Sequence, residues 1–158
     1  MRQRGFTIIE LITAVAIAGL VLAAGLPAFG AFNRTLRERE ARDELRQRIR
    51  GARQAAVTRH CPVIVAFGNG VSTTGITGYT VHVDSNGDRV RQSTEAGSNY
   101  TLPRNCQLAV ASFTPNDTLI FDLSGALWPG SVAGQLVITG SGRADTLAIS
   151  ATGMVYDP

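Results

Sequence analysis

Histidine and cysteine are scarce in this chain, with two of each in 158 residues, and their spacing excludes the commonest metal centres. His60 adjoins Cys61, yet no second CxxC-like pair or spaced histidine completes a zinc set. His82 lies in an alternating stretch and reads as a surface residue. No nucleophile elbow surrounds Ser124, Ser141 or Ser150, and no glycine loop is placed to cradle a phosphate. The sequence therefore predicts no catalytic residue and no cofactor. Lysine is missing altogether: the fifteen basic residues are all arginine, and eleven of them fall between Arg2 and Arg59. The other four, Arg89, Arg91, Arg104 and Arg143, face seven acids in the last hundred residues, which leaves that part about three charges negative. The net charge of +3 thus describes mainly the N-terminal segment, and an acidic head argues against nucleic acid as its partner.

Charge is also absent from Leu11 to Phe32. As a helix these 22 residues extend about 33 Å at about 1.5 Å each, close to the ~30 Å hydrocarbon core of a bilayer. Arg2 and Arg4 precede the stretch and would hold its start on the cytoplasmic side. A secretory signal has a shorter apolar region and a small-residue cleavage site beyond it; Ala23, Ala24 and Gly25 imitate such a site only loosely. Glu10 is the exception in the apolar run. A carboxylate near the end of a spanning helix costs energy and calls for a cation. Cleavage after Gly5 would supply one, because the new amino group of Phe6 lies one helical turn from Glu10. In a filament, the amino terminus of a neighbouring subunit could meet the same carboxylate. Pro27, among Gly19, Gly25 and Gly30, predicts a kink or loosening of the helix near residues 23–27.

The string Arg4-Gly5-Phe6-Thr7-Ile8-Ile9-Glu10-Leu11 closely resembles the class III signal of type IV prepilins and pseudopilins. The resemblance implies that a prepilin peptidase cuts after Gly5 and methylates Phe6. It further implies that Glu10 and Pro27 serve assembly, that other pilins or pseudopilins and an inner-membrane assembly platform are partners, and that the chain resides in the inner membrane, with a periplasmic head, or in a filament. The implied fold is α+β: a leader over 1–5, an N-terminal helix over 6–59, and a β-rich head over 60–158. Within the helix, 6–32 spans the membrane and forms the filament core, and 33–59 is amphipathic. Ala41, Leu45, Ile49, Ala52 and Ala56 recur at helical spacing and predict the stripe that packs on the head. Glu38 with Arg42 and Glu44 with Arg48 are i,i+4 pairs of about 0.2–0.5 kcal/mol each, on a face that reads as solvated.

Pro62–Phe67, Tyr79–Asp84, Thr118–Phe121, Gln135–Thr139, Thr146–Ser150 and a brief Met154–Tyr156 read as strands, with hairpin connections at Asn69-Gly70, Asn86-Gly87 and Ser141-Gly142. Six or seven antiparallel strands are expected. The run from Arg53 to Val63, the Tyr79–Asp84 strand with its Asp-Asn-Gly-Asp turn, and Leu119-Ile120-Phe121 followed by Ser124-Gly125 resemble the GspH/FimT-type minor pseudopilins. That likeness implies a minor subunit which primes or joins a type IV pilus or a type II secretion pseudopilus. The alternative it carries is a DNA-binding or adhesive minor pilin in natural transformation. DNA-binding members have a C-terminal glycine-arginine motif, whereas this chain has Gly153-Met154-Val155-Tyr156-Asp157, leaving Arg143 as the nearest basic candidate. One arginine does not make a multi-phosphate contact.

Two further sites follow from the head's composition. Outside the cytoplasm, Cys61 and Cys106 would pair, closing a loop worth up to about 4 kcal/mol; the alternative is two free, buried thiols. Asp84, Asn86, Asp88 and Glu95 occupy positions one, three, five and twelve of a calcium loop. Arg89 stands where that loop takes glycine and the flanks read as strands, so a polar hairpin turn is expected instead.

Overall fold

Helix α1 runs from Ile8 to Arg59. It stops where His60 turns into the left-handed region at φ 52°, with Pro62 two residues on, a sequence of events that ends many helices. The computed structural model describes residues 6–68, 74–90, 92, 95–111, 113, 117–131, 133–140 and 144–158, without the side chains of 26–28 and 111. Gly5, Asn69-Gly70, Ser141-Gly142 and Arg143 lie outside the described residues. The chain divides into two compact units, residues 1–36 and 37–158.

In the first unit the backbone keeps its helical assignment across Pro27. Every described side chain from Phe6 to Phe32 is exposed.

The second unit begins with the rest of the helix, followed by eight strands: β1 Val63–Phe67, β2 Gly78–Val83, β3 Gly97–Thr101, β4 Gln107–Ala111, β5 Thr118–Phe121, β6 Gly134–Thr139, β7 Ala144–Ile149 and β8 Val155–Tyr156. They form two antiparallel sheets, ordered β3-β2-β1-β5 and β4-β6-β7-β8. Ile76, between β1 and β2, links them by exchanging both backbone hydrogen bonds with Leu108 of β4, at 3.0 and 2.8 Å. The predicted stripe is the helix's contribution to the core: Ala41, Leu45, Ile49, Ala52 and Ala56 are all buried. They join one cluster with Val63, Val65 and Phe67 of β1, Phe121 of β5, Leu136 and Ile138 of β6, and Leu147 and Ile149 of β7. Central β1 is buried on both faces, as the unbroken apolar run Val63–Phe67 requires.

The six predicted strands are present within a residue or two of their expected ends, and β3 and β4 add two more. β3, Gly-Ser-Asn-Tyr-Thr, is mostly exposed and offers no apolar alternation to detect. β4, Gln-Leu-Ala-Val-Ala, does alternate, but its alanines carry little strand preference.

Candidate functional site

At the start of the helix, Thr7 and Glu10 satisfy each other. The Glu10 carboxylate accepts from the Thr7 backbone N–H and from its hydroxyl, both at 3.0 Å, and the Thr7 hydroxyl accepts from the Glu10 N–H at 3.4 Å. This is a capping box, in which the side chains at the cap and three residues later answer two backbone donors left over at a helix start. It places the Glu10 carboxylate over the first turn, on the N–H of the Phe6–Thr7 peptide. Thr7 was not singled out in the sequence, although Thr-x-x-Glu ahead of an apolar run is the signature of this motif. Beyond it Phe6, Ile8, Ile9, Leu11 and Ile12 are all more than half exposed.

Arg34, Arg37, Arg39, Arg48, Arg50 and Arg59 are exposed, as the expected solvated face requires, whereas Arg42, Arg46 and Arg53 are half-buried against the head. Arg42 turns from Glu38 to Asp145 at 3.2 Å and Asp43 at 3.5 Å, Arg46 donates to Asp157, and the Arg53 Nε donates to the Gly125 carbonyl at 2.9 Å. Arg48 keeps its predicted pair with Glu44 at 3.6 Å and lies 4.3 Å over the Tyr100 ring. Burial works against the Arg42 charge, but Asp145, Asp157 and Asp43 outweigh it and raise the guanidinium pKa. The hydrogen bond from Arg46 holds the Asp157 carboxyl below its ordinary 3.8. Asp145 and Asp157 of the head thus pair with Arg42 and Arg46 of the helix. Arg42, Arg46 and Arg53, held by these partners, are taken out of any polyphosphate track.

The two cysteines are free thiols, which corrects the expected disulfide. The Cys106 Sγ lies 3.9 Å from the Arg37 carbonyl, while Cys61 follows Arg59 at the other end of the same helix. The helix rises about 33 Å between those points, far beyond the Cα separation of ~7 Å that a disulfide bridges. Burial, with Glu38 nearby, pushes the Cys106 thiol pKa up despite the opposing Arg37.

The carboxylates of Asp84, Asp88 and Glu95 converge, with ligand-type oxygens within 4.8 Å of one another. Local donors hold them. Asp84 accepts from the N–H groups of Gly87 at 2.7 Å and Arg89 at 2.8 Å. Asp88 accepts from the Val90 N–H at 2.8 Å and the Asn86 side chain at 3.0 Å. Asn86 in turn accepts from the Asp88 N–H at 3.1 Å, and Glu95 accepts from Gln92 at 3.3 Å. Arg89 adopts the left-handed backbone at φ 60° that a calcium loop gives to glycine. The geometry is that of a polar connection between β2 and β3 closed by its own carboxylates. His82 is a correction as well: it is 6 % exposed, because its ring packs beneath Gly97 and shares a 2.8 Å hydrogen bond with the Thr80 hydroxyl. Trp128 is half-buried over Gly130, with the Arg89 guanidinium 5.0 Å from its ring.

Two family models match this chain. One, described as a prokaryotic N-terminal methylation motif, covers residues 1–26; the other, type II transport protein GspH, covers residues 41–153. No curated protein sequence matches. Among solved structures, the type IV minor pilin FimU of Pseudomonas aeruginosa is similar with a TM-score of 0.57 at 17% identity, over 80% of this chain and 92% of that one. The minor pseudopilin EpsH from the type 2 secretion system of Vibrio cholerae is similar with a TM-score of 0.52 at 17% identity, over 73% of this chain and 91% of that one.

Proposed function

The chain belongs to the GspH family of type II transport proteins, and from that premise we propose that it is a minor pilin or pseudopilin, a structural subunit that primes or joins a type IV pilus or a type II secretion pseudopilus. A prepilin peptidase cuts after Gly5 and methylates the new N terminus at Phe6. The segment from Phe6 to Phe32 first anchors the chain in the inner membrane, with the head in the periplasm, and then passes to the filament core through the assembly platform. The role is mechanical and not catalytic.

One observation carries this reading: the whole described surface of the apolar segment is exposed, and its stretch from Phe6 to residue 26 falls in the methylation-motif match. So much apolar surface is stable only in lipid or against other apolar helices. Glu10 gives the packing an axial register. Its carboxylate already bends back over the first turn to Thr7, so processing at Gly5 brings a positive amine within its reach. In the filament, the amine of a neighbouring subunit takes that place as a charge-assisted partner.

The test is intact-mass analysis of the native protein together with filament shearing. The mass is expected to correspond to loss of residues 1–5 plus one methyl group. Glu10→Ala is expected to leave membrane levels intact while lowering the sheared-filament fraction about tenfold or more. An intact Met1, or normal incorporation of Glu10→Ala, refutes the reading.

A further inference from the structure

Strand β3 differs from the other sheet edges. The outer side of β5 is met by the Leu127 bridge and by the Trp128 N–H, which donates to Ile120 at 2.8 Å. That of β4 is met by Ile76, and β8 has only two residues. β3 lies at the end of its sheet with nothing on its outer side among the described residues. Its hydrogen-bond alternation follows from the bonds that bracket it, Val83 N–H to the Ala96 carbonyl at 3.0 Å and Leu102 N–H to the Thr77 carbonyl at 2.8 Å. With Val81 opposite Ser98 and Tyr79 opposite Tyr100, Ser98 and Tyr100 turn their backbone groups toward β2. Gly97, Asn99 and Thr101 turn theirs outward. Edge strands are usually blunted by charge, proline or a bulge. The five residues of β3 contain neither charge nor proline.

Beside this edge, between α1 and the helix-facing side of the sheet, runs a groove of about 490 Å³. Its floor includes Ala55, Val81 and Val83, apolar side chains that this chain covers only in part. Its ends are cationic. Arg48, whose exposed guanidinium is 3.6 Å from Glu44, lies over Tyr100 at one end. Arg59 lies at the other, toward Val83 and Ala96, and has no ion-pair partner among the described residues. The two arginines are about 16 Å apart along the helix axis, close to five residues of extended strand.

We infer that the β3 edge and the adjoining groove are a docking site for an extended, acidic segment of another protein, which joins the sheet as an additional strand. The occupant pairs its backbone with the outward groups of Gly97, Asn99 and Thr101. On its groove-facing side, where side chains recur at even spacings, it carries carboxylates four residues apart, within reach of the long side chains of Arg48 and Arg59, with an apolar side chain between them over Ala55 and Val81. Main-chain pairing supplies affinity and the alternate side chains supply selection. A second copy of this chain fits poorly, because β3-to-β3 pairing sets like-charged arginines alongside one another. The inference does not depend on filament assembly, since the site lies wholly within residues 37–158.

The test uses full-length protein in detergent micelles and a fluorescein-labelled, valine-rich heptapeptide with glutamate at its second and sixth positions. Anisotropy is expected to rise saturably, and a lysine counterpart to bind about tenfold more weakly or worse. Arg59→Ala is expected to weaken the glutamate peptide about two- to fivefold and to flatten its salt dependence. Asn99→Pro removes only an outward donor, a substitution that edge strands accept, and is expected to cost fivefold or more without moving the unfolding midpoint. In the unsubstituted protein, the amides of Asn99 and Thr101 are expected to exchange more slowly once peptide is bound. No binding, equal binding of the lysine peptide, or unchanged exchange at Asn99 and Thr101 overturns the inference.

Discussion

Gly153 and Gly125 meet at a junction whose strength is measurable. Both have left-handed backbones, φ 75° and 79°. A Cβ on Gly153 would sit 2.3 Å from the Gly125 carbonyl oxygen and 3.1 Å from Phe121 Cε1, and that same carbonyl accepts from Arg53 on the helix. Neither obstacle yields easily: one is backbone, held in place by a guanidinium, and the other is a fully buried ring. For Gly153→Ala the backbone conformation costs about 1–2 kcal/mol and the overpacking about 1–3 kcal/mol more. Gly87 is the internal control. It has the same φ of 75° but open space where the Cβ would go, so Gly87→Ala should show the conformational cost alone. Trp128, the single tryptophan, reports on the head while the N-terminal helix stays in detergent, so urea or thermal melts of the full-length protein followed by its fluorescence resolve the two variants. At about 3–6 °C per kcal/mol for a head of this size, Gly153→Ala is expected to melt well below Gly87→Ala. Equal midpoints would refute the argument, because they would mean that the Gly125 carbonyl gives way at no cost.

Other outcomes follow from the ion pairs and the thiols. The depressed carboxyl of Asp157 contributes stability that is complete above its unfolded value near 3.8 and is lost as pH falls through the lower folded value. Asp157→Asn should therefore lower the melting temperature at pH 7 and lessen the further loss on acidification below about pH 4; an unchanged acid profile would contradict the Arg46 pairing. Under non-reducing conditions, iodoacetamide should label both cysteines of the unfolded protein. In the folded protein Cys61 should react faster than buried Cys106, and a mass two daltons short with both sites protected would restore the disulfide.

How far the fold could be read in advance varied with the kind of signal. The stripe from Ala41 to Ala56 was legible because burial on one helix face imposes a period that composition alone reveals. β1 and β5 announced themselves by unbroken apolar runs. β3 did not, because an open edge strand with polar side chains buries too little to leave a pattern. The pairings of Arg42 with Asp145 and Arg46 with Asp157 join residues 103 and 111 positions apart, beyond any local rule, so the i,i+4 count favoured Glu38 over the true partner of Arg42. His82 was misassigned because an alternating strand implies one wet face, and the glycine at position 97, whose missing side chain admits the imidazole, sits on a strand that had not been recognised. The cysteines failed for a simpler reason: the number of residues between them says nothing about which end of a long helix each one visits.

The clasp between Arg46 and Asp157 also sets an order of events. A ribosome delivers the arginine more than a hundred residues before the aspartate, and the two must find each other across nearly the entire head. Closure consequently waits until both partners have been made, and such distant pairing is slow. A polypeptide whose clasp closes late keeps the stretch between its two ends open to rearrangement until Asp157 is in place.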